Sequence, residues 1–209
     1  TQDMETLDQV EHWNEFDIRT IYPELPEYRT RGHQFLGPLR HESESGEVHV
    51  FDWYFAAALR QGFRMTWFQT IISFELEDQL LPSFNLRPRD LPLGVAIPGF
   101  EVIDIDGLDP NYQLDGASSY TIRRIFDVPG MLNALNAFLS TDAWHIDRYE
   151  DKLSISAFNQ LRAPHDIPAR IEEAESIVVF LQTAARNADA SLNERLAVVA
   201  SDHQVVGIR

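Results

Sequence analysis

The residues best suited to acid–base chemistry lie at the start of an aromatic-rich stretch. They are His41, His49 and Asp52. A His-x-x-Asp spacing can orient a general base. However, the run from Val48 to Trp53 alternates like a strand, and residues three apart on a strand point to opposite faces. We therefore expect the side chains of His49 and Asp52 to diverge, and we assign them no catalytic role.

A second candidate is the acidic run DIDGLDPNYQLD, which holds Asp104, Asp106, Asp109 and Asp115. An EF-hand loop needs oxygen ligands at positions one, three and five, glycine at six and glutamate at twelve. Counted from Asp104, positions five, six and twelve are Leu108, Asp109 and Asp115, so this pattern fails. A different calcium loop and a solvated turn remain as the alternatives, and the turn is favoured.

The remaining chemistry-bearing residues match no known motif. The seven histidines show no HExxH or other close ligand spacing; they are His12, His33, His41, His49, His145, His165 and His203. Ser154 and Ser156 lie on a predicted strand outside any GxSxG elbow, and no GxGxxG or GxxxxGK[ST] loop is present. The sequence therefore assigns no catalytic, cofactor-binding or metal-binding residue, and we expect no cofactor.

Composition narrows the class of protein. The chain has 209 residues, a net charge of −16 and no cysteine, and Lys152 is its single lysine. So acidic a surface repels phosphate, which argues against nucleic acid as a partner. No apolar run approaches the roughly 18 residues of a membrane span, so we expect no direct membrane insertion by this chain. Because it begins at Thr1 rather than methionine, we expect an upstream segment, with a targeting or membrane segment as one alternative.

The elements around these residues centre on the stretch from Val48 to Arg89. Val48 to Trp53 and Arg64 to Leu76 predict two strands joined by a turn at Gln61-Gly62, since glycine accepts the positive φ of such turns. The second strand is apolar on both faces and is therefore expected to be central. Six aromatic residues in this stretch are expected to pack in the core rather than to stack on a ligand; the six are Trp53, Tyr54, Phe55, Phe63, Trp67 and Phe68. Trp53 and Trp67 are expected to be cross-strand partners.

The rest of the chain adds helices and short strands. The predicted helices are 4–16, one after Asp127-Pro129, 168–187 and 192–199. The predicted strands are 33–41, 100–106, 112–114, 144–149 and 152–158. Residues 80–88 are predicted to leave the sheet through two prolines, residues 91–99 to form an irregular crossing loop, and residues 120–127 to be extended or transitional. This order predicts an α+β fold with a central, mostly antiparallel sheet, a meander plus a later hairpin, on which helices pack.

We predict a single domain over residues 1–187, made of a helix and connector over 1–30 and a core over 31–187. Residues 188–209 are predicted to form a C-terminal helical or extended appendage.

The central stretch resembles a family of uncharacterised bacterial proteins that carry an N-terminal membrane span before a soluble domain of unknown function. The matching motifs are Phe51-Asp52-Trp53-Tyr54, Gln69-Thr70-Ile71 and Leu81-Pro82-Ser83-Phe84-Asn85-Leu86-Arg87-Pro88. Asn111-Tyr112-Gln113-Leu114 and Ile125-Phe126 extend the resemblance, which covers about Arg31 to Arg186. Ala57 to Gly62 depart from the family's basic glycine turn. The resemblance implies an architecture and a membrane-tethered context, and it implies no activity.

Three functional hypotheses follow. The leading one is a non-catalytic domain that binds a protein or small ligand, located in the cytoplasm or held at a membrane by a segment outside this chain. The alternative is an Asp/His-based hydrolase, metal-dependent in one version, whose site forms only in space. It requires at least three residues of one set to meet, namely His33, His41, His49, Asp52, Asp104, Asp106 and His145. A third is an assembly module with an interface above roughly 1,000 Å².

Overall fold

The computed structural model describes residues 5–6, 34–43, 45–58, 64–76, 80–90, 99–149, 151–157 and 160–205. Within these ranges, nine strands form one antiparallel sheet in the order β1-β2-β3-β4-β9-β8-β5-β7-β6. The strands are β1 (Glu5–Thr6), β2 (Gln34–Ser43), β3 (Gly46–Ala58), β4 (Arg64–Glu75), β5 (Phe84–Pro88), β6 (Glu101–Val102), β7 (Tyr112–Gly116), β8 (Trp144–Tyr149) and β9 (Lys152–Ala157).

Three helices complete the described part of the chain: α1 (Ser119–Phe126), α2 (Met131–Leu139) and α3 (Ile167–Val205). Their buried side chains join one hydrophobic core with alternate residues of the strands, such as Val50, Ile72 and Ile155. All three helices therefore pack on the same face of the sheet, which is called the helical face below. The α+β fold with an antiparallel sheet and packed helices is confirmed.

The predicted central hairpin is β3 with β4. Val48 lies opposite Phe74 and Val50 opposite Ile72, so valine, isoleucine and phenylalanine meet on the helical face. Strand β4 lies between β3 and β9, as its two apolar faces predict. The expected pairing of Trp53 with Trp67 is wrong, because the register places Trp53 opposite Gln69.

Strand β2 is longer than predicted but carries the irregularity that its sequence indicates. Its register with β3 shifts between Leu36 and Leu39, across Gly37 and Pro38. Proline donates no ladder hydrogen bond, so a bulge accommodates it. The turn that follows enters β3 at Gly46, whose φ of 123° suits glycine.

Two segments differ from their predicted structure, since 80–88 was expected to leave the sheet and 120–127 to be extended or transitional. Residues 84–88 do not leave the sheet but form β5, which lies between β8 and β7. Pro88 is tolerated because it is the last residue of the strand. The segment 120–127 contains α1, because Ile122, Ile125 and Phe126 recur at helical spacing and are all buried. Asp127 therefore caps the end of α1 rather than the start of α2.

Helix α3 is one continuous helix where the sequence predicted two. No proline or glycine occurs between Ala169 and Val206, so nothing in the chain breaks the backbone hydrogen bonds near residue 188. Its Glu173 Oε1 accepts a hydrogen bond from Thr141 at 2.6 Å, and its Glu175 Oε1 accepts one from the Ser45 N–H at 3.3 Å. These contacts join α3 to the segment that follows α2 and to the turn between β2 and β3. The division of the chain at residue 187 stays a prediction.

Some predictions lie outside the described residues: the turn at Gln61-Gly62, the loop 91–98 and most of the helix 4–16. Glu5 and Thr6 of that helix instead form β1 and pair with β2. Within the described helices, none combines the length and apolar composition that a bilayer crossing requires.

Candidate functional site

Five polar side chains form a row across the face of the sheet opposite the helices. The register places Ser73 opposite Ser154, Ser154 opposite Asp147, Asp147 opposite Asn85, and Asn85 opposite Asp115. Directly opposed residues share a face, and neighbouring strands are about 4.8 Å apart, so the row extends roughly 19 Å. All five residues are buried. We call these residues the polar row.

His145 joins the row beside Asp147 and Asn85. It precedes Asp147 by two residues on β8 and so points to the same face. Its Nε2 lies 3.2 Å from Asp147 Oδ2 and 2.7 Å from Asn85 Nδ2, and the Asn85 amide also donates to Asp147 Oδ1. Three polar side chains from two adjacent strands therefore converge on one point; we call them the Asn85–His145–Asp147 cluster.

At one end of the row, a buried charge is compensated locally. Arg87 Nη2 lies 3.0 Å from Asp115 Oδ2, and both side chains are less than one-sixth exposed. The Gln113 amide donates to both oxygens of Asp115, at 2.9 and 3.1 Å. These three contacts satisfy both oxygens of the Asp115 carboxylate where water is largely excluded.

At the other end of the row, two hydroxyls pair. Ser154 Oγ donates to Ser73 Oγ at 3.0 Å, and this contact bridges β9 and β4. A buried hydroxyl needs such a partner, because its desolvation is otherwise uncompensated.

Beyond the row, on β3, a second histidine–carboxylate pair lies on the same face. His49 Nε2 lies 2.6 Å from Glu47 Oε1, and the Arg40 guanidinium donates to Glu47 Oε2. Burial acts to raise the pKa of Glu47, but the hydrogen bonds from Arg40 and His49 hold it below its ordinary value.

The residues singled out from the sequence are mostly separated in space. The prediction that His49 and Asp52 diverge is confirmed: His49 contacts Glu47, whereas Asp52 lies on the helical face and accepts a 2.5 Å hydrogen bond from Thr70 Oγ1. His41 lies opposite Val48 and so also belongs to the helical face. The exposed His165 lies 3.5 Å from Asp166.

The acidic run from Asp104 to Asp115 divides into a loop and a strand. Asn136 of α2 holds the loop, since its Nδ2 donates to the Gly107 carbonyl at 2.7 Å and its Oδ1 accepts from the Asp109 N–H at 3.1 Å. Asp115 instead lies in β7 within the polar row. Among the described residues, no group of three or more histidine, aspartate or glutamate side chains is placed to hold a metal ion. His33 lies outside those residues.

Asn85, Asp147 and Arg87 belong to no catalytic or metal-binding motif that the sequence displays. A signal was present, because WHIDRY alternates Trp144 and Ile146 with His145 and Asp147 on a predicted strand. Polar residues on the second face of such a strand share one side of the sheet. Their partner Asn85 was hidden, because β5 was not recognised as a strand.

No family model matches the chain, and no curated protein matches it in sequence. The resemblance to the bacterial family therefore stays a prediction. A solved structure with a similar fold is the crystal structure of the mycobacterial trehalose monomycolate transport factor A, TtfA. It superposes with a TM-score of 0.52 at 11% sequence identity and covers 88% of this chain and 86% of the other. At this identity the likeness shows the fold alone.

Proposed function

We propose that the chain is a non-catalytic α+β domain that binds a protein or small ligand in a membrane-associated process. The polar groups on its sheet are engaged with one another, as Arg87 is with Asp115 and Ser154 with Ser73. Networks satisfied in this way hold strands in register and rigidify a scaffold. That is the arrangement expected of a binding platform.

The observation that carries this proposal is the shared fold. The similarity to TtfA extends over 88% of the chain, and that protein is described as a transport factor. An accessory role in transport for the present chain is therefore consistent with its architecture. A membrane context also agrees with the tether that the resemblance to the bacterial family implies.

The charge of the chain restricts the partner. A net charge of −16 opposes association with phosphate-rich polymers and anionic lipid headgroups. A protein partner with a basic surface, or a ligand without net negative charge, suits this surface better.

Two measurements test the proposal. The purified chain and its His145→Ala variant are assayed on panels of ester, phosphoester, glycoside and peptide substrates; we expect neither to turn over any substrate. The tagged chain is also expressed in its source cell, and a partner retained in the membrane fraction is purified and titrated against it. Saturable binding supports the proposal, whereas robust turnover that a single side-chain change abolishes contradicts it.

An Asp/His-based hydrolase is the second candidate function, at a site that includes only His145 of the set named from the sequence. The observation in its favour is the His145–Asp147 contact, with Ser156 directly opposite His145 on the neighbouring strand. The same substrate panels decide between the two functions, and they are repeated with added Zn²⁺ and Mn²⁺. Turnover by the wild-type chain that both His145→Ala and Ser156→Ala abolish would establish the hydrolase.

A further inference from the structure

We propose that the Asn85–His145–Asp147 cluster binds one divalent transition-metal ion. The proposal concerns metal binding alone. It is compatible with a structural role for the ion and does not depend on the proposed function.

The spacing of the His145 and Asp147 donor atoms fits one coordination sphere. Nitrogen and oxygen ligands lie about 2.0–2.2 Å from a zinc-like ion, so two ligands of the same ion are roughly 3.0–3.4 Å apart. His145 Nε2 lies 3.2 Å from Asp147 Oδ2 and 2.7 Å from the Asn85 amide. The His145–Asp147 distance is therefore that of two ligands of one ion, whereas the Asn85 amide lies closer to both groups and must move outward to join them.

The hydrogen-bonding roles within the cluster conflict without a cation. His145 Nε2 faces both an amide NH₂ and a carboxylate oxygen. An unprotonated Nε2 accepts from Asn85 but then directs its lone pair at Asp147. A protonated Nε2 donates to Asp147 but then opposes the N–H of Asn85. With the amide in this orientation, neither form of Nε2 satisfies both neighbours. Rotating the amide gives a protonated Nε2 two acceptors but turns the amide oxygen against the Asp147 carboxylate.

A metal ion removes this conflict. Rotating the Asn85 amide by 180° exchanges its nitrogen and oxygen. The cluster then presents three acceptors, the amide oxygen of Asn85, the lone pair of His145 and the carboxylate of Asp147. Imidazole together with oxygen donors suits zinc, cobalt or manganese, whereas calcium and magnesium prefer oxygen alone.

The surroundings also favour a cation. Asn85 and Asp147 are buried, and electrostatic attraction is stronger where water is excluded. His145 retains 15% of its side-chain exposure and offers a route of approach. The other carboxylate of the row, Asp115, pairs with Arg87, so the Asp147 carboxylate remains to balance the ion.

The Glu47–His49 pair provides a matched control. It lies on the same face, its Nε2–carboxylate distance is 2.6 Å, and His49 is equally exposed at 15%. There, however, the carboxylate already binds the Arg40 guanidinium. The positive charge of Arg40 already balances this carboxylate, so we expect this pair to bind no metal ion.

The test is titration of the full chain, with any affinity tag removed, with Co²⁺ and Zn²⁺. Calorimetry is expected to show one ion per chain, and Co²⁺ to develop visible absorption bands that Zn²⁺ displaces. Excess Mg²⁺ or Ca²⁺ should not displace it. His145→Ala and Asp147→Ala should each weaken binding by at least about tenfold, whereas His49→Ala should leave it unchanged.

A fourth variant, Asn85→Asp, distinguishes ligation from hydrogen bonding. If residue 85 is a ligand, a carboxylate there should tighten Co²⁺ binding, because the added charge faces the ion. If Asn85 serves only as a hydrogen-bond donor, the variant should be less stable and bind no more tightly, which would overturn the assignment of Asn85.

Absence of stoichiometric binding to the wild-type chain overturns the whole proposal without reference to any variant. Equal losses in His145→Ala and His49→Ala, with native circular dichroism in both, also overturn it. Metal binding without turnover supports the site and leaves the proposed function intact. Failure of the metal site is therefore distinguishable from failure of that function.

Discussion

Arg162 forms an ion pair with Asp142, and its guanidinium also lies over the ring of Trp144, 5.2 Å from the ring centroid. Both charged side chains are less than one-sixth exposed. Asp142 follows α2, whereas Arg162 follows the β8–β9 hairpin. The pair therefore holds the segment that leads into α3 against the edge of the core.

Replacing this arginine should destabilise the fold. Arg162→Ala leaves the buried carboxylate of Asp142 without its main partner and removes the contact with Trp144, so we expect a loss of about 2–3 kcal/mol. Urea unfolding followed by tryptophan fluorescence measures it. The control is the exposed Arg89→Ala, which removes one hydrogen bond to the Pro110 carbonyl and should cost less than about 0.5 kcal/mol.

The same pair predicts an acid-sensitive stability. Burial acts to raise the pKa of Asp142, but hydrogen bonds from Arg162, the Ala143 N–H and Gln160 hold it below its ordinary value. A lowered carboxyl pKa stabilises the fold above the unfolded-state value, near pH 4, and this stability is lost as pH falls through the folded pKa. The difference in unfolding free energy between wild type and Asp142→Asn should therefore shrink below about pH 4. A difference that is constant from pH 7 to pH 2 would contradict this assignment.

Tyr112 predicts a loss of stability at high pH. Burial, then the carboxylates of Asp109 and Asp142, raises the pKa of its phenol to about 12. Between about pH 10 and pH 12 the unfolded chain has lost this proton while the folded chain keeps it, so stability falls as pH rises. The loss should be on the order of 2 kcal/mol. Unfolding free energies of wild type and Tyr112→Phe, compared from pH 8 to pH 12, measure it, and parallel curves would refute it.

The Ser73–Ser154 hydrogen bond predicts a non-additive double-mutant cycle. Ser154→Ala alone leaves the Ser73 hydroxyl buried without its partner and should cost about 1–2 kcal/mol. Removing both hydroxyls should cost less than the sum of the two single changes, because neither polar group then remains. Urea unfolding of the four proteins gives the coupling energy. A value indistinguishable from zero would show that the two hydroxyls act independently.

Gly46 is the first residue of β3, and substituting it tests how tightly the chain is constrained where it enters the central hairpin. Its φ is 123°, and a Cβ there would lie 2.3 Å from the Glu75 carbonyl oxygen, a backbone atom that cannot move easily. We expect Gly46→Ala to destabilise by more than about 2 kcal/mol. Gly99→Ala is the control, since Gly99 also has positive φ but a Cβ would meet no atom within 4 Å. Its cost should stay near about 1 kcal/mol. Equal losses for the two variants would mean that the close contact with Glu75 relaxes freely.

Local patterns in the sequence predicted much of the fold. Three patterns reflect interactions between residues that are close in the chain. They are the strand alternation around Val48 and Val50, the helical spacing of Leu135, Phe138 and Leu139, and the positions of glycine and proline. They predicted the β3–β4 and β8–β9 hairpins, α2 and most of α3. They failed at β5 and α1, short elements whose local signals are weak and whose order comes from packing on neighbours distant in the chain.

The sequence also determined, without any structure, that His49 and Asp52 diverge, because side chains on a strand alternate with a period of two. The sequence alone did not predict the Asn85–His145–Asp147 cluster. Asn85 meets His145 and Asp147 only because β5 pairs with β8, across separations of 60 and 62 residues. The choice of strand partner and its register depends on how the whole sheet buries its helical face. Only the tertiary structure decides which polar residues then meet on the opposite face.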